Sequence, residues 1–143
     1  MAEHDTEAEL RARALRLLAR REHSRQELER KLAAHAGSSD DLKDLISGLK
    51  AKNQLSEARF AEERARWLSR KYGAAKIRQD LQSKGVPEEL VARFASPLDE
   101  LQKAREILER KYRTPAATRE EKAKRMRFLQ SRGFAIEVIR RAV

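Results

Sequence analysis

Two Arg-Lys-Tyr runs hold the side chains that come nearest to a catalytic arrangement in this sequence of 143 residues. Tyr72 and Tyr112 each follow an Arg and a Lys, and a tyrosine hydroxyl activated by a neighbouring guanidinium can form a covalent adduct with DNA. The two runs lie at equivalent helix ends of an internal repeat, so packing of the ring with the hydroxyl at the surface explains them better. A DNA-processing enzyme is therefore the weakest of the functional interpretations.

Other catalytic chemistry has little support in the sequence. The three histidines, His4, His23 and His35, lack the spacing of a catalytic triad or a metal site. The chain has no Cys, which excludes thiolate nucleophiles and Cys-based zinc or iron–sulfur sites. It also lacks the glycine-rich loops that bind phosphate or dinucleotides. We expect no enzymatic activity, no metal and no cofactor.

Charge gives the strongest functional signal. Lys and Arg number 33 against 23 Asp and Glu, a net charge of +10, and the excess lies in the second and third thirds of the chain. Such an excess predicts a polyanion or an acidic protein surface as partner, although charged side chains often only solvate the outer faces of helices. The contact candidates are Arg70, Lys71, Lys76, Arg78, Lys84, Arg110, Lys111, Lys122, Lys124, Arg125, Arg127 and Arg132.

The elements that carry these cations form an internal repeat. Long stretches rich in Ala, Leu, Glu, Lys, Arg and Gln predict an all-α fold. Gly37, Gly85 and Gly133 recur every 48 residues, each after a basic amphipathic run and before an apolar one. We predict nine helices in three tandem three-helix, helix-turn-helix-like repeats, over residues 1–53, 54–95 and 96–143. Because each repeat has a small core, we expect them to stack into an elongated, curved array.

Several local patterns predict where the helices begin and end. Capping boxes are expected at Thr6–Glu9, Ser24–Glu27 and Thr118–Glu121. Gly37 is expected to close the second helix in the left-handed conformation. Pro87 is expected at the first position of the sixth helix. The apolar stripe of the fourth helix is predicted to run through Phe60, Trp67, Leu68 and Tyr72.

The sequence also indicates where the protein resides. No stretch approaches the roughly 18 consecutive apolar residues of a membrane span, and the N-terminal ten residues are acidic, unlike a secretory signal. We therefore expect a soluble, cytoplasmic protein without a membrane partner. The absence of a heptad seam favours a monomer.

The third helix of each repeat would be the DNA-reading helix of a helix-turn-helix protein. Asp40 and Asp41 open it in the first repeat, and Glu88 and Glu89 open it in the second. Carboxylates at these positions would repel phosphates, so we expect attraction to a phosphate backbone or an acidic protein rather than recognition of a base sequence. A sequence-specific transcription regulator is the alternative interpretation.

A series of short runs in a fixed order spans nearly the whole chain. They are Ala14-Leu15-Arg16-Leu17-Leu18-Ala19-Arg20-Arg21, Ser24-Arg25-Gln26-Glu27-Leu28, Leu32, Arg59-Phe60-Ala61, Gly73, Ile77-Arg78-Gln79-Asp80-Leu81, Lys84-Gly85-Val86 and Arg127-Phe128-Leu129-Gln130-Ser131-Arg132-Gly133-Phe134. Together with the three-repeat layout, these runs resemble the RecX family of regulators of bacterial recombination.

The resemblance implies a non-enzymatic modulator of the RecA recombinase, in the context of recombination, DNA repair and the SOS response. RecX proteins bind the RecA nucleoprotein filament, lie in its helical groove and limit its growth, so that ATP hydrolysis, strand exchange and coprotease activity are lost. The implied partners are the RecA filament and, without sequence specificity, single- and double-stranded DNA. The nearly neutral first repeat would then make mainly protein contacts or act as a cap.

Overall fold

Nine α-helices make up the fold in the computed structural model, which describes residues 3–143. No strand occurs within these residues, so the all-α prediction is confirmed. No helix in this part of the chain is long and apolar enough to cross a membrane. The helices are α1 (Glu7–Arg20), α2 (Arg25–Leu32), α3 (Ser39–Ala51), α4 (Glu57–Leu68), α5 (Ala74–Ser83), α6 (Glu88–Phe94), α7 (Glu100–Lys111), α8 (Arg119–Ser131) and α9 (Ile136–Ala142).

Side-chain caps start most of these helices. The capping boxes at Thr6 and Ser24 are complete, as predicted, and single side-chain caps at Ser38 and Ser56 open α3 and α4. At α8 the predicted box differs in one bond. Thr118 Oγ1 accepts from Glu121 N, but the Glu121 carboxylate accepts from Ala117 N at 2.7 Å, one residue before the cap.

The recurring glycines do not all have the same conformation. Gly85 and Gly133 have φ of +73° and +88°, one residue beyond the C-caps Lys84 and Arg132, where a left-handed residue commonly ends a helix. The prediction for Gly37 is wrong, because its φ is not positive. Helix α2 already ends at Leu32, so Gly37 lies in the loop beyond the position that needs this conformation.

Two further expectations need correction. Pro87 is the N-cap of α6 rather than its first helical residue, and the helix begins at Glu88. Trp67 is 58% exposed, although the sequence places it in the apolar stripe of α4. Phe60 and Leu68 are buried as predicted. On a helical wheel, where successive residues are 100° apart, Trp67 lies about 100° away from the centre of the stripe formed by the buried residues of α4.

Each set of three consecutive helices encloses its own apolar cluster. The first contains Leu28, Leu32 and Leu49, and the second contains Phe60, Leu81 and Val91. The third is centred on Leu129 and Ile139. We call these sets unit one (α1–α3), unit two (α4–α6) and unit three (α7–α9). The protein therefore has three small cores in series instead of one large core.

The same polar contact joins each unit to the next. In unit one, the N–H of Arg25, the first residue of α2, donates to Glu57 Oε1 at 3.3 Å. In unit two, the N–H of Ala74, the first residue of α5, donates to Glu100 Oε2 at 3.2 Å. Glu57 and Glu100 are the first residues of the helices that open the following units. The free N–H groups and positive dipole end of a helix favour a carboxylate at this point.

Close backbone approach completes the junction between units two and three. Gly73 N donates to Arg132 O at 2.7 Å, and a Cβ on Gly73 would lie 2.6 Å from Gly133 O. A Cβ on Gly133 would lie 2.5 Å from Lys76 Cγ. Only glycine fits at both positions, so the start of α5 is held tightly against the end of α8.

Candidate nucleic-acid interface

A row of cations and aromatic rings crosses the junction between units two and three. Arg132 is the central residue, because its guanidinium lies 5.4 Å from the ring centroid of Tyr72 in unit two and 4.9 Å from that of Phe128 in unit three. The backbone of Arg132 is fixed by its hydrogen bond to Gly73. Arg132 thus places a positive charge at the junction between units two and three, and its backbone also helps to hold the two units together.

The row continues within unit three. Arg125 lies 4.4 Å from the Tyr112 centroid, and Lys111 Nζ lies 4.4 Å from the Phe128 centroid. The rings of Tyr112 and Phe128 meet edge to face, with centroids 6.2 Å apart and planes at 83°. Arg125, Phe128 and Arg132 recur every three to four residues on α8, so they share one side of the helix. Within residues 3–143, Lys111, Arg125 and Arg132 lie against rings and form no ion pair with a carboxylate.

A groove on unit two adjoins this row at Tyr72. It has a volume of about 650 Å³, and its lining includes Trp67, Lys71, Tyr72 and Lys76. Lys71 and Lys76 are exposed. We call the groove and the cation–aromatic row together the junction face, made up of Trp67, Lys71, Tyr72, Lys76, Lys111, Tyr112, Arg125, Phe128 and Arg132.

An ion pair sets the edge of the junction face at Trp67. Arg64 Nε and Nη2 donate to the two carboxylate oxygens of Asp80 at 2.9 and 3.0 Å. Partial burial alone would raise the pKa of Asp80, but the Arg64 hydrogen bonds and charge outweigh it and lower that pKa below its usual value. The guanidinium of Arg64 is held 5.1 Å from the Trp67 centroid. Arg64 is therefore restrained against one side of an exposed indole.

The structure divides the twelve predicted contact residues into groups. Five of them, Lys71, Lys76, Lys111, Arg125 and Arg132, belong to the junction face. Arg78 forms an ion pair with Glu88 at 2.7 Å, and Lys84 forms one with Asp80 at 3.6 Å, so acids partly neutralise both.

The remaining five candidates lie elsewhere. Arg110 donates to the Arg70 carbonyl, and both residues line a separate groove that also contains Asp99 and Glu106. Lys122, Lys124 and Arg127 are exposed on α8. None of these three forms an ion pair with residues 3–143.

Sequence reasoning missed the aromatic part of the junction face. It assigned Tyr72 and Tyr112 to packing alone and Trp67 to the core. Both tyrosines are indeed half-buried against their clusters, yet a cation lies near each ring. The alternation of basic and aromatic residues in the two Arg-Lys-Tyr runs is the signal that could have indicated this surface.

The histidines do not form a catalytic arrangement. His23 is buried, and its Nδ1 lies 3.0 Å from the Arg21 carbonyl, which can only accept. Nδ1 therefore carries the proton, and Nε2 accepts from Lys31 Nζ at 3.0 Å. Within residues 3–143, no three His, Asp or Glu side chains are grouped to hold a metal.

Comparison with known proteins identifies the three units. The family models for the first, second and third three-helix domains of RecX match residues 11–36, 56–93 and 99–143, respectively. Regulatory protein RecX of Leptothrix cholodnii is 41% identical over 145 residues, covering 100% of this chain and 92% of that protein. Regulatory protein RecX of Chromohalobacter salexigens is 45% identical over 141 residues, covering 96% of this chain and 92% of that protein.

Solved structures show the same fold. The crystal structure of RecX from Lactobacillus salivarius superposes with a TM-score of 0.79 at 20% sequence identity, covering 94% of this chain and 92% of that one. All three domain models match in the order of the three units, and the relatives are similar over nearly the whole chain. Both findings agree with the three-unit architecture. The chain belongs to the RecX family of regulatory proteins.

Proposed function

We propose that this protein is a negative modulator of the RecA recombinase, which binds the RecA nucleoprotein filament and limits its growth. ATP hydrolysis, strand exchange and coprotease activity by RecA would decrease as a consequence. The protein would act without chemistry of its own and would contact DNA without regard to its sequence. Membership of the RecX family over the whole chain is the observation that carries this proposal.

The distribution of free cations supports a contact with the nucleoprotein filament. Units two and three carry the net positive charge of the chain, whereas unit one is nearly neutral despite lysines of its own that are unpaired in the described part of the chain. Within residues 3–143, the cations of the junction face and Lys122, Lys124 and Arg127 form no ion pair. A filament of protein on DNA presents phosphates and acidic side chains, and clustered cations attract both. We therefore assign the contact to units two and three, and mainly protein contacts to unit one.

ATP hydrolysis by RecA on single-stranded DNA tests the proposal. The protein is titrated well below one copy per RecA monomer, at two salt concentrations. Limitation of filament growth predicts strong inhibition at these ratios, because masking of the DNA would require stoichiometric amounts. Absence of inhibition, with binding to naked DNA retained, would reject the proposed function.

A charge-reversal pair tests the assignment to units two and three. One variant replaces Lys122, Lys124 and Arg127 by Glu, and the matched control replaces Lys43, Lys50 and Lys52, exposed lysines of unit one, by Glu. Each replacement of Lys or Arg by Glu lowers the net charge by two, so the three replacements in either variant lower it from +10 to +4. We expect the first variant to lose inhibition and the control to retain most of it. Equal loss in both would show that only net charge matters.

Selection of ligands from a random duplex pool tests the absence of sequence recognition. We expect a featureless pool and binding that weakens steeply with salt. Enrichment of one sequence motif would instead favour a transcription regulator.

A further inference from the structure

Trp67 is the only tryptophan of the chain, and its position is unusual for a large apolar side chain. It projects from α4 with 58% of its surface exposed, and tryptophan is a residue type that is enriched at binding interfaces. Arg64, held by Asp80, covers part of the ring at 5.1 Å. The remainder of the ring faces solvent.

A groove lies on each side of this indole, and only one of the two grooves has an excess of positive charge. Trp67 and Arg64 line two grooves at once. The groove towards unit one contains Arg21 and Lys84, but it also contains Glu22, Glu27 and Glu63. Arg21 and Lys84 form ion pairs with Glu27 and Asp80, so this side of the indole is close to neutral. The groove towards unit three also contains Lys71 and Lys76, and it continues through Tyr72 to Arg132. A linear polyanion that lay on the indole would therefore meet an excess of positive charge on the side of Lys71, Lys76 and Arg132.

We propose that Trp67 is a stacking platform for an unpaired base of single-stranded nucleic acid, with the adjacent phosphates bound on the side of Lys71, Lys76 and Arg132. The proposal deepens the sequence-independent DNA affinity included in the proposed function and rests on it. Stacking on an aromatic ring beside a positively charged groove is the general way in which proteins hold single strands without reading their sequence. Every base has a flat face, so the site accepts any of them.

The geometry favours a single strand over the other polyanions. In a duplex each base face is covered by its neighbours, so an indole could reach one only by unstacking the helix. An acidic peptide would use the cations but would leave the exposed indole without a matching planar group. Recognition of a single strand therefore uses both the charges and the ring.

Intrinsic fluorescence tests the proposal directly, because all indole emission comes from this site. We expect an oligothymidylate of about 16 nucleotides to quench the emission on binding. A duplex of the same length and an oligomer of abasic deoxyribose phosphates should bind without comparable quenching. Equal quenching by all three ligands, or none by the oligothymidylate, would overturn the proposal.

Substitutions separate stacking from charge. Trp67→Leu should weaken oligothymidylate binding roughly five- to 150-fold and leave the salt dependence of binding unchanged, since no phosphate contact is lost. Trp67→Phe, which retains a ring, should recover part of the affinity. The matched control, Leu98→Ala, alters another exposed apolar side chain and should have no effect. Lys71→Gln and Lys76→Gln should each lower the salt slope by about one.

The RecA assay distinguishes failure of this proposal from failure of the proposed function. Normal affinity of Trp67→Leu for the oligothymidylate would reject base stacking, whatever the result of RecA inhibition. Inhibition by the unaltered protein would still uphold the proposed function in that case. Conversely, loss of oligothymidylate affinity in Trp67→Leu, together with quenching in the unaltered protein, would establish stacking even if RecA were not inhibited.

Discussion

At the residue scale, the buried imidazole of His23 in unit one lies in direct contact with the ammonium group of Lys31. The ring is buried, with Nδ1–H directed to the Arg21 carbonyl and Nε2 accepting from Lys31 Nζ at 3.0 Å. Burial is the main cause that lowers the pKa of His23 below its ordinary value, and the charges of Arg21 and Lys31 act in the same direction. Protonation of Nε2 would bring two cations into contact.

This environment predicts a pH dependence of stability. Because the folded-state pKa lies below that of the unfolded chain, the unfolded state binds more protons in the interval between them. The free energy of unfolding should therefore be highest above the unfolded pKa of about 6.5 and should fall as the pH decreases towards the folded pKa. Urea unfolding at about pH 7.5 and about pH 5.5 measures the difference.

Two variants assign that pH dependence to this residue pair. His23→Asn keeps a donor for the Arg21 carbonyl but cannot titrate, and Lys31→Met removes the neighbouring ammonium. Both should show a smaller loss of stability between the two pH values than the unaltered protein. An unchanged loss in His23→Asn would mean that other groups cause it.

At the element scale, the packing of α5 against the end of α8 requires that Gly73 has no side chain. Gly73→Ala places a Cβ 2.6 Å from the Gly133 carbonyl oxygen, so α5 and α8 must move apart. We expect a loss of about 1–3 kcal/mol in the free energy of unfolding, the usual cost of overpacking. Differential scanning calorimetry or urea unfolding provides the measurement.

Gly48 provides the matched control for that substitution. It lies inside α3, and a Cβ there would meet nothing within 4 Å. Gly48→Ala should therefore raise stability by about 0.5–1 kcal/mol, because alanine loses less backbone entropy in a helix. Opposite signs at the two positions would confirm that contact, and not residue type, decides the effect. Equal stability of Gly73→Ala and the unaltered protein would show that the junction can relax.

The same elements show what the sequence could predict. The boxes at Thr6 and Ser24 depend on residues three apart in one chain segment, and both formed as predicted. Gly37 has the same spacing as Gly85 and Gly133, but its conformation depends on where α2 ends, and α2 is only eight residues long. A repeated residue therefore predicts a repeated location more securely than a repeated backbone geometry.

The candidate site was predictable in its charge and not in its arrangement. The basic excess of units two and three follows from counting residues. Which cations remain free depends on partners distant in the sequence, such as Glu88 for Arg78. The exposure of Trp67 likewise depends on where α5 and α6 cover α4. These contacts arise between helices, and periodicity along one helix cannot specify them.

At the scale of the whole molecule, three separate cores joined by polar contacts predict partly independent opening. Leu129 is fully buried at the centre of unit three, and Leu129→Ala should cost about 2–5 kcal/mol. Amide hydrogen exchange should then accelerate mainly in α7–α9, while α1–α3 keep their protection.

The reciprocal variant tests the independence of the first unit. Leu28 is fully buried in unit one, so Leu28→Ala should accelerate exchange in α1–α3 and spare α7–α9. Uniform acceleration over all nine helices in either variant would show that the three units unfold as one.

The junction between units two and three has a consequence for synthesis on the ribosome. Gly73 gives α5 no side-chain cap, and the carboxylate at the start of α5 comes from Glu100, in unit three. In unit one, Ser24 and Glu27 cap the start of the middle helix, α2, so this cap can form as soon as α2 has left the ribosome. The corresponding carboxylate contact in unit two can form only after α7 has left the exit tunnel. The chain thus matures in an order in which the second repeat is completed only with the arrival of the third.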